Sequence, residues 1–189
     1  TQTKRVAELV FHPTWLSDDD VFGNANDFCL VRLAEPITGI KPATLNASAE
    51  EIIGSTVWFC GFGDYSRQPG QNPDDYSKKH ALENILDRKV AGITSRTGAG
   101  DIYRGGLVAF DFDSPDGLVN TLGDDYISPD EPLLGGGTSE AFSRTWEGGT
   151  VEGDSGGPLF SNINNQWVVI GILSGGAAEP LRNYVDGDY

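Results

Sequence analysis

Apolar and polar residues alternate with a period of two along several short stretches of this chain, while stripes at the helical period are few, so the pattern predicts an all-β protein. Residues 5–11 (Arg-Val-Ala-Glu-Leu-Val-Phe) alternate well enough for a strand, and His12-Pro13-Thr14-Trp15 closes it with a turn. An acidic loop follows over residues 17–21. The apolar run 28–33 is predicted to be a buried strand, stopped by Glu35-Pro36. Residues 39–51 combine Pro42 with small residues and little periodicity, which predicts a linker. Residues 56–63 (Thr-Val-Trp-Phe-Cys-Gly-Phe-Gly) form a strong strand signal, and residues 64–79 a polar, exposed and mobile loop. Residues 81–87 suit either a short helix or a strand. Residues 106–113 alternate into a strand that ends at the turn Ser114-Pro115-Asp116-Gly117. Gly135-Gly136-Gly137-Thr138 is a flexible connection, and the β-favouring run 166–173 is the last strong strand signal.

Composition narrows the class further. At 189 residues the chain suits one ordinary domain or two small barrels sharing an interface. Its 25 Gly and 10 Pro mark a turn-rich globular protein. A net charge of −15 repels nucleic acid and anionic membrane surfaces, so neither is an expected partner. No apolar run approaches the length of a membrane span, and no signal peptide is visible, as in a mature chain. Cys29 and Cys60 allow at most one internal disulfide; both sit in apolar strand-like runs, which favours structural thiols over a bridge. Asn46-Ala47-Ser48 is a glycosylation sequon, relevant only in a secreting eukaryote. Asp111, Asp113 and Asp116 suggest a calcium loop, but the EF-hand positions that need a ligand and a Gly hold Pro115 and Asp116, so no metal site is expected.

The chemistry concentrates in Val151-Glu152-Gly153-Asp154-Ser155-Gly156-Gly157-Pro158-Leu159-Phe160. Glycines on both sides of Ser155 permit backbone angles that leave a hydroxyl proud while neighbouring N–H groups converge, the kind of donor set that stabilises an oxyanion. A bare Gly-x-Ser-x-Gly is more often a Gly-rich turn with a solvated Ser. It also fits the nucleophile elbow of α/β-hydrolases, but that elbow runs into a helix and its His follows the Ser. Here Pro158 and a β-favouring run follow, and no His lies beyond Ser155.

The longer string Gly-Asp-Ser-Gly-Gly-Pro-Leu resembles the nucleophile loop of trypsin-like (chymotrypsin-fold) serine proteases, particularly bacterial members. The resemblance implies two antiparallel β-barrels with the active site between them. Residues 1–48 would be the C-terminal part of the first barrel plus linker, and residues 49–189 the second barrel. It makes Ser155 the nucleophile and the N–H groups of Gly153 and Ser155 the oxyanion hole. Asn26-Asp27, followed by a hydrophobic strand and a Pro-bounded turn, is similar to the segment around the triad acid; Asp27 would be that acid, buried and bonded to the catalytic imidazole. Asp154 would pair with the α-amino group released when a zymogen is cut, ordering the loop. Ser174, Gly175 and Gly176 resemble the edge that pairs with substrate backbone, with Gly175 leaving one wall of the cleft open. Gly149 and Thr150 would floor the specificity pocket. The absence of an Asp there speaks against a preference for Arg or Lys, unless Glu147 or Glu152 supplies charge. For residues 81–87 the resemblance favours the strand.

The departure is the general base. The two histidines are His12 and His80. His12 matches a non-catalytic His-Pro turn, and His80, after two lysines, is expected to be solvated. The resemblance therefore aligns the chain with an interior slice of the domain, beginning after the catalytic His, and implies an N-terminal fragment of the same protein as partner. The implied activity is cofactor-free hydrolysis of peptide bonds in a protein or peptide substrate, by a secreted or periplasmic enzyme. The alternatives are an inactive homologue that binds proteins through the same cleft and, more remotely, a calcium-dependent adhesion module.

Overall fold

The computed structural model of the chain describes residues 2–12, 27–48, 53–63, 78–90, 93–94, 102–103, 107–113, 120, 122, 139–141, 144–151 and 153–175. They are all-β: no helix occurs among them, and the strands pair mostly antiparallel. The expected turn at 13–15, nearly all of the 64–79 loop, the turn at 114–117 and the 135–138 connection lie outside the described residues. No described helix is long and apolar enough to cross a membrane.

The alternating segments at the start of the chain form a hairpin-like pair, β1 (Val6–Phe11) and β2 (Cys29–Leu33), joined antiparallel with a register shift between Val6 and Glu8. The prediction of a buried strand is corrected here. Leu30 is 67% exposed and Val31 50%, and Leu9, Val10 and Phe11 of the facing strand are about equally open. Successive strand residues point to opposite faces, so both faces of this ribbon present apolar side chains to solvent. The local pattern fits a core strand, but no second layer among the described residues covers it.

The centre of the molecule is a five-stranded sheet. β3 (Thr44–Leu45) lies at one edge, followed by β11 (Gln166–Ile172), β10 (Pro158–Ile163), β4 (Thr56–Gly61) and β5 (His80–Ile85). All neighbours are antiparallel except β3 and β11. The β10–β11 hairpin turns through Asn164 and Asn165, whose φ values of 53° and 61° suit the two-residue loop of a twisted hairpin. β3 occupies what composition predicts to be linker: two residues suffice to pair with Val168 and Val169, and Asn46 N–H adds a bond to the Val169 carbonyl. Such a short edge strand leaves no periodic signal.

Strict alternation in β4 turns Val57 and Phe59 into the core, where they meet Leu82, Leu86 and Leu159, with Val108, Phe110, Ile170 and Leu173 packed around them. Two small ribbons complete the described structure: β6 (Arg88–Val90) with β9 (Leu107–Ala109), and β7 (Ile93–Thr94) with β8 (Ile102–Tyr103). The strand predicted over 106–113 thus stops at Ala109; Asp111 and Asp113 beyond it turn inward and are buried. The four described sheets close into no barrel. Cys29 and Cys60 are free, half-buried thiols in separate sheets.

Candidate active site at the Gly153–Gly157 turn

The turn before β10 is shaped by glycine. Gly153 and Gly156 adopt φ of 91° and 81°, a region that a Cβ strongly disfavours. Gly157 lies over the Phe59 ring so closely that a Cβ there would stand 2.5 Å from Cζ. Backbone bonds then lock the turn: Gly157 N–H donates to the Asp154 carbonyl (2.9 Å) and Asp154 N–H to that of Val151 (3.1 Å). Ser155 is exposed at the crest. Among the described residues no acceptor takes the N–H of Gly153 or of Ser155.

The same turn is sewn to the end of β11. Gly156 N–H donates to the Leu173 carbonyl (2.8 Å), and Leu173 N–H donates back to that of Gly157 (2.9 Å). The next residue, Ser174, donates its hydroxyl to Asp27 Oδ2 at 2.9 Å, across 147 positions of sequence. Asp27, Ser174 and the Ser155 turn therefore share one end of the fold. Asp27 is exposed, contrary to the expected burial, and no layer among the described residues covers the ribbon it precedes. Gly175 is also exposed, and Gly176 lies outside the described residues. Gly149 is exposed with open space where a side chain would stand, and Thr150 is half-buried.

Asp154 is 2% exposed. Gly63 N–H donates to its Oδ1 (2.8 Å) and Val151 N–H to its Oδ2 (3.1 Å), so the carboxylate bridges the end of β4 and the turn it belongs to. Gly61 is required at this crossing, since a Cβ there would fall on Asp154 Oδ1. His80 Nε2 stands 3.5 Å from the same oxygen. The expectation of a solvated His80 is thus corrected: its side chain is only 25% exposed, because β5 pairs His80 with Gly61 and brings it to Asp154. Nothing local in the sequence announces this contact. The other histidine, His12, packs its ring on Phe28 with centroids 5.2 Å apart.

A second polar centre supports the approach to the turn. Asn84, buried on β5, donates to the carbonyls of Asp111 and Gly148 and accepts from Ile85 N–H (2.6 Å). Glu147 accepts from Asp113 N–H (2.7 Å) and Arg144 N–H (2.5 Å), so its carboxylate is committed to the loop backbone rather than to the Gly149 side. Glu152 lies outside the described residues. Glu140 N–H donates to Asp87 Oδ1 (3.0 Å), and Leu122 N–H to Asp111 Oδ2 (2.7 Å). Burial, reinforced by Asp111, pushes Asp87 up to about 7. Burial, then the charges of Asp111, Glu147, Asp87 and Glu140, pushes Asp113 up to about 8. Despite these carboxyls, no group of three or more His, Cys, Asp or Glu among the described residues is arranged to hold a metal ion.

No protein-family model matches the chain.

Proposed function

We propose that this chain is the larger part of a serine endopeptidase of the chymotrypsin type, built on two β-barrels of which it supplies part of the first and the second. The Ser155 hydroxyl attacks a peptide carbonyl and forms an acyl-enzyme, which water then hydrolyses. An imidazole from polypeptide outside this sequence takes the Ser155 proton and returns it to the leaving amine, while Asp27 orients that imidazole. Gly153 and Ser155 N–H groups hold the tetrahedral oxyanion. The edge at Ser174 and Gly175 receives substrate backbone, and Gly149 and Thr150 leave room for a small or apolar side chain before the scissile bond. No cofactor enters the reaction.

The observation that carries this proposal is the Ser174–Asp27 hydrogen bond. Two residues assigned to one site from separate motifs are in contact, and the Leu173–Gly157 bond pair ties that contact to the turn bearing Ser155. The apolar ribbon supports the second half of the proposal. Leu9, Val10, Phe11, Leu30 and Val31 are all about half exposed or more, as expected of barrel strands whose partners lie in another segment. That segment is the expected source of the imidazole.

Intact-mass measurement of the full-length protein, before and after a fluorophosphonate probe, tests the proposal. The expected result is one adduct, mapped to Ser155, with a His-bearing segment associated with the chain. No adduct in a folded sample that contains every segment and has undergone its processing would overturn it in favour of a protein-binding homologue.

A further inference from the structure

We propose that His80 is a positioning residue for the Ser155 turn: its Nε2, 3.5 Å from Asp154 Oδ1, supplies from within the chain the side-chain contact that keeps the oxyanion donors formed. The turn is then ordered without the amino group of a processed N-terminus. The inference rests on the endopeptidase reading for its consequence, but not for its structural content.

A carboxyl group buried to 2% exposure needs polar partners within the fold. Gly63 N–H donates to Oδ1 and Val151 N–H to Oδ2, and His80 Nε2 stands 3.5 Å from Oδ1 on the β5 side. Among the described residues, no other basic side chain is placed against Asp154. Along the ladder His80 faces Gly61, and the next pair on that face is Phe59 with Leu82, both apolar. Lys78 and Lys79, just before the strand, are exposed. The consequence reaches the chemistry directly, because Asp154 lies between the two proposed oxyanion donors, and its carbonyl accepts the Gly157 N–H that closes the turn. If the carboxylate is expelled toward water, the turn goes with it.

Hydrogen exchange on the full-length protein reads this without turnover. In His80→Gln, amides in 151–157 are expected to exchange at least about tenfold faster, as when a buried carboxylate loses its partner. The amides of β10 and β11 should keep their protection. In an Asp154→Asn background the same substitution should add little, since an amide leaves one acceptor oxygen where the carboxyl offers two to His80, Gly63 N–H and Val151 N–H. Blocking the N-terminal amine by acetylation should leave exchange in 151–157 unchanged. Equal exchange in wild type and His80→Gln would overturn the proposal. So would acceleration spread over the whole sheet, an undiminished effect in Asp154→Asn, or protection that depends on the free amine. An unreactive Ser155 alongside the expected exchange pattern would remove the endopeptidase assignment and leave the role of His80 standing.

Discussion

Truncating Phe59 to Ala is expected to cost about 3–5 kcal/mol, enough to remove much of the stability of an ordinary domain. Phe59 is 1% exposed and lies at the middle of the core on β4. Its ring is also the floor of the Ser155 turn. Built Cβ atoms at Gly157 and Gly61 would stand 2.5 Å and 2.9 Å from it, so the ring touches both glycines that the turn and the Asp154 carboxylate cross. The cavity left by Ala would thus open beneath Gly157 as well as within the sheet. Phe59→Leu, which keeps most of the volume, should cost roughly 1 kcal/mol. That variant stays folded, and should still react more slowly at Ser155 with a fluorophosphonate, because Leu does not reproduce the flat contact under Gly157. Urea unfolding with an unchanged slope would measure the first effect. A loss below about 1 kcal/mol for the Ala variant would mean that the sheet closes over the gap and the ring is not the support assigned to it.

How far the fold was legible follows from what each feature depends on. The strands at Val6–Phe11, Cys29–Leu33, Thr56–Gly61 and Gln166–Ile172 are visible because alternation and short apolar, β-favouring runs are local signals. Their burial is not. Leu30 and Val31 read as core from composition alone, yet they are exposed because the layer that would cover them is not formed by the described residues. Thr44–Leu45 and the other two-residue strands pair through backbone atoms and carry no side-chain period, so a linker composition hid the first of them. The Ser155 turn was legible because its glycines answer to backbone geometry within five residues. His80 was not, since its contact with Asp154 spans the sheet and depends on the register that sets it opposite Gly61. Of the carboxyl cluster only Asp111 and Asp113 are neighbours in sequence; Asp87, Glu140 and Glu147 come from separate segments and join them only on folding.

That cluster predicts an inverted dependence of stability on pH. In an unfolded chain an aspartate ionises near 3.8, whereas Asp87 and Asp113 in the fold hold their protons to about 7 and about 8. Between these limits the folded state binds more protons than the unfolded one, so stability must fall as pH rises. Each group contributes a slope of up to about 1.4 kcal/mol per pH unit, flattening below about pH 4 and, for Asp87 and Asp113 respectively, above about 7 and about 8. The physical cause is that Asp87 Oδ2 and Asp113 Oδ1 are buried without a hydrogen-bond partner among the described residues, a tolerable state for a neutral carboxyl and a costly one for a charge. The melting temperature should therefore be highest near pH 4–5 and decline steadily toward pH 8.5. Asp113→Asn, which keeps the shape without the titration, should raise stability at pH 8.5 and remove about half of the slope. Calorimetry from pH 4 to pH 9 on both proteins decides the matter. A profile that is flat or rises with pH would show that the carboxyls ionise freely in the fold. A melting temperature at pH 8.5 that climbs with millimolar calcium would instead mean that a cation neutralises them. Ionisation of Asp113 would set its charge against Glu147, whose carboxylate holds the Asp113 and Arg144 N–H groups two residues before Gly149. The loss of order should then spread along 147–151 toward the Ser155 turn, so probe reactivity of Ser155 should fall at alkaline pH in the wild type and less in Asp113→Asn.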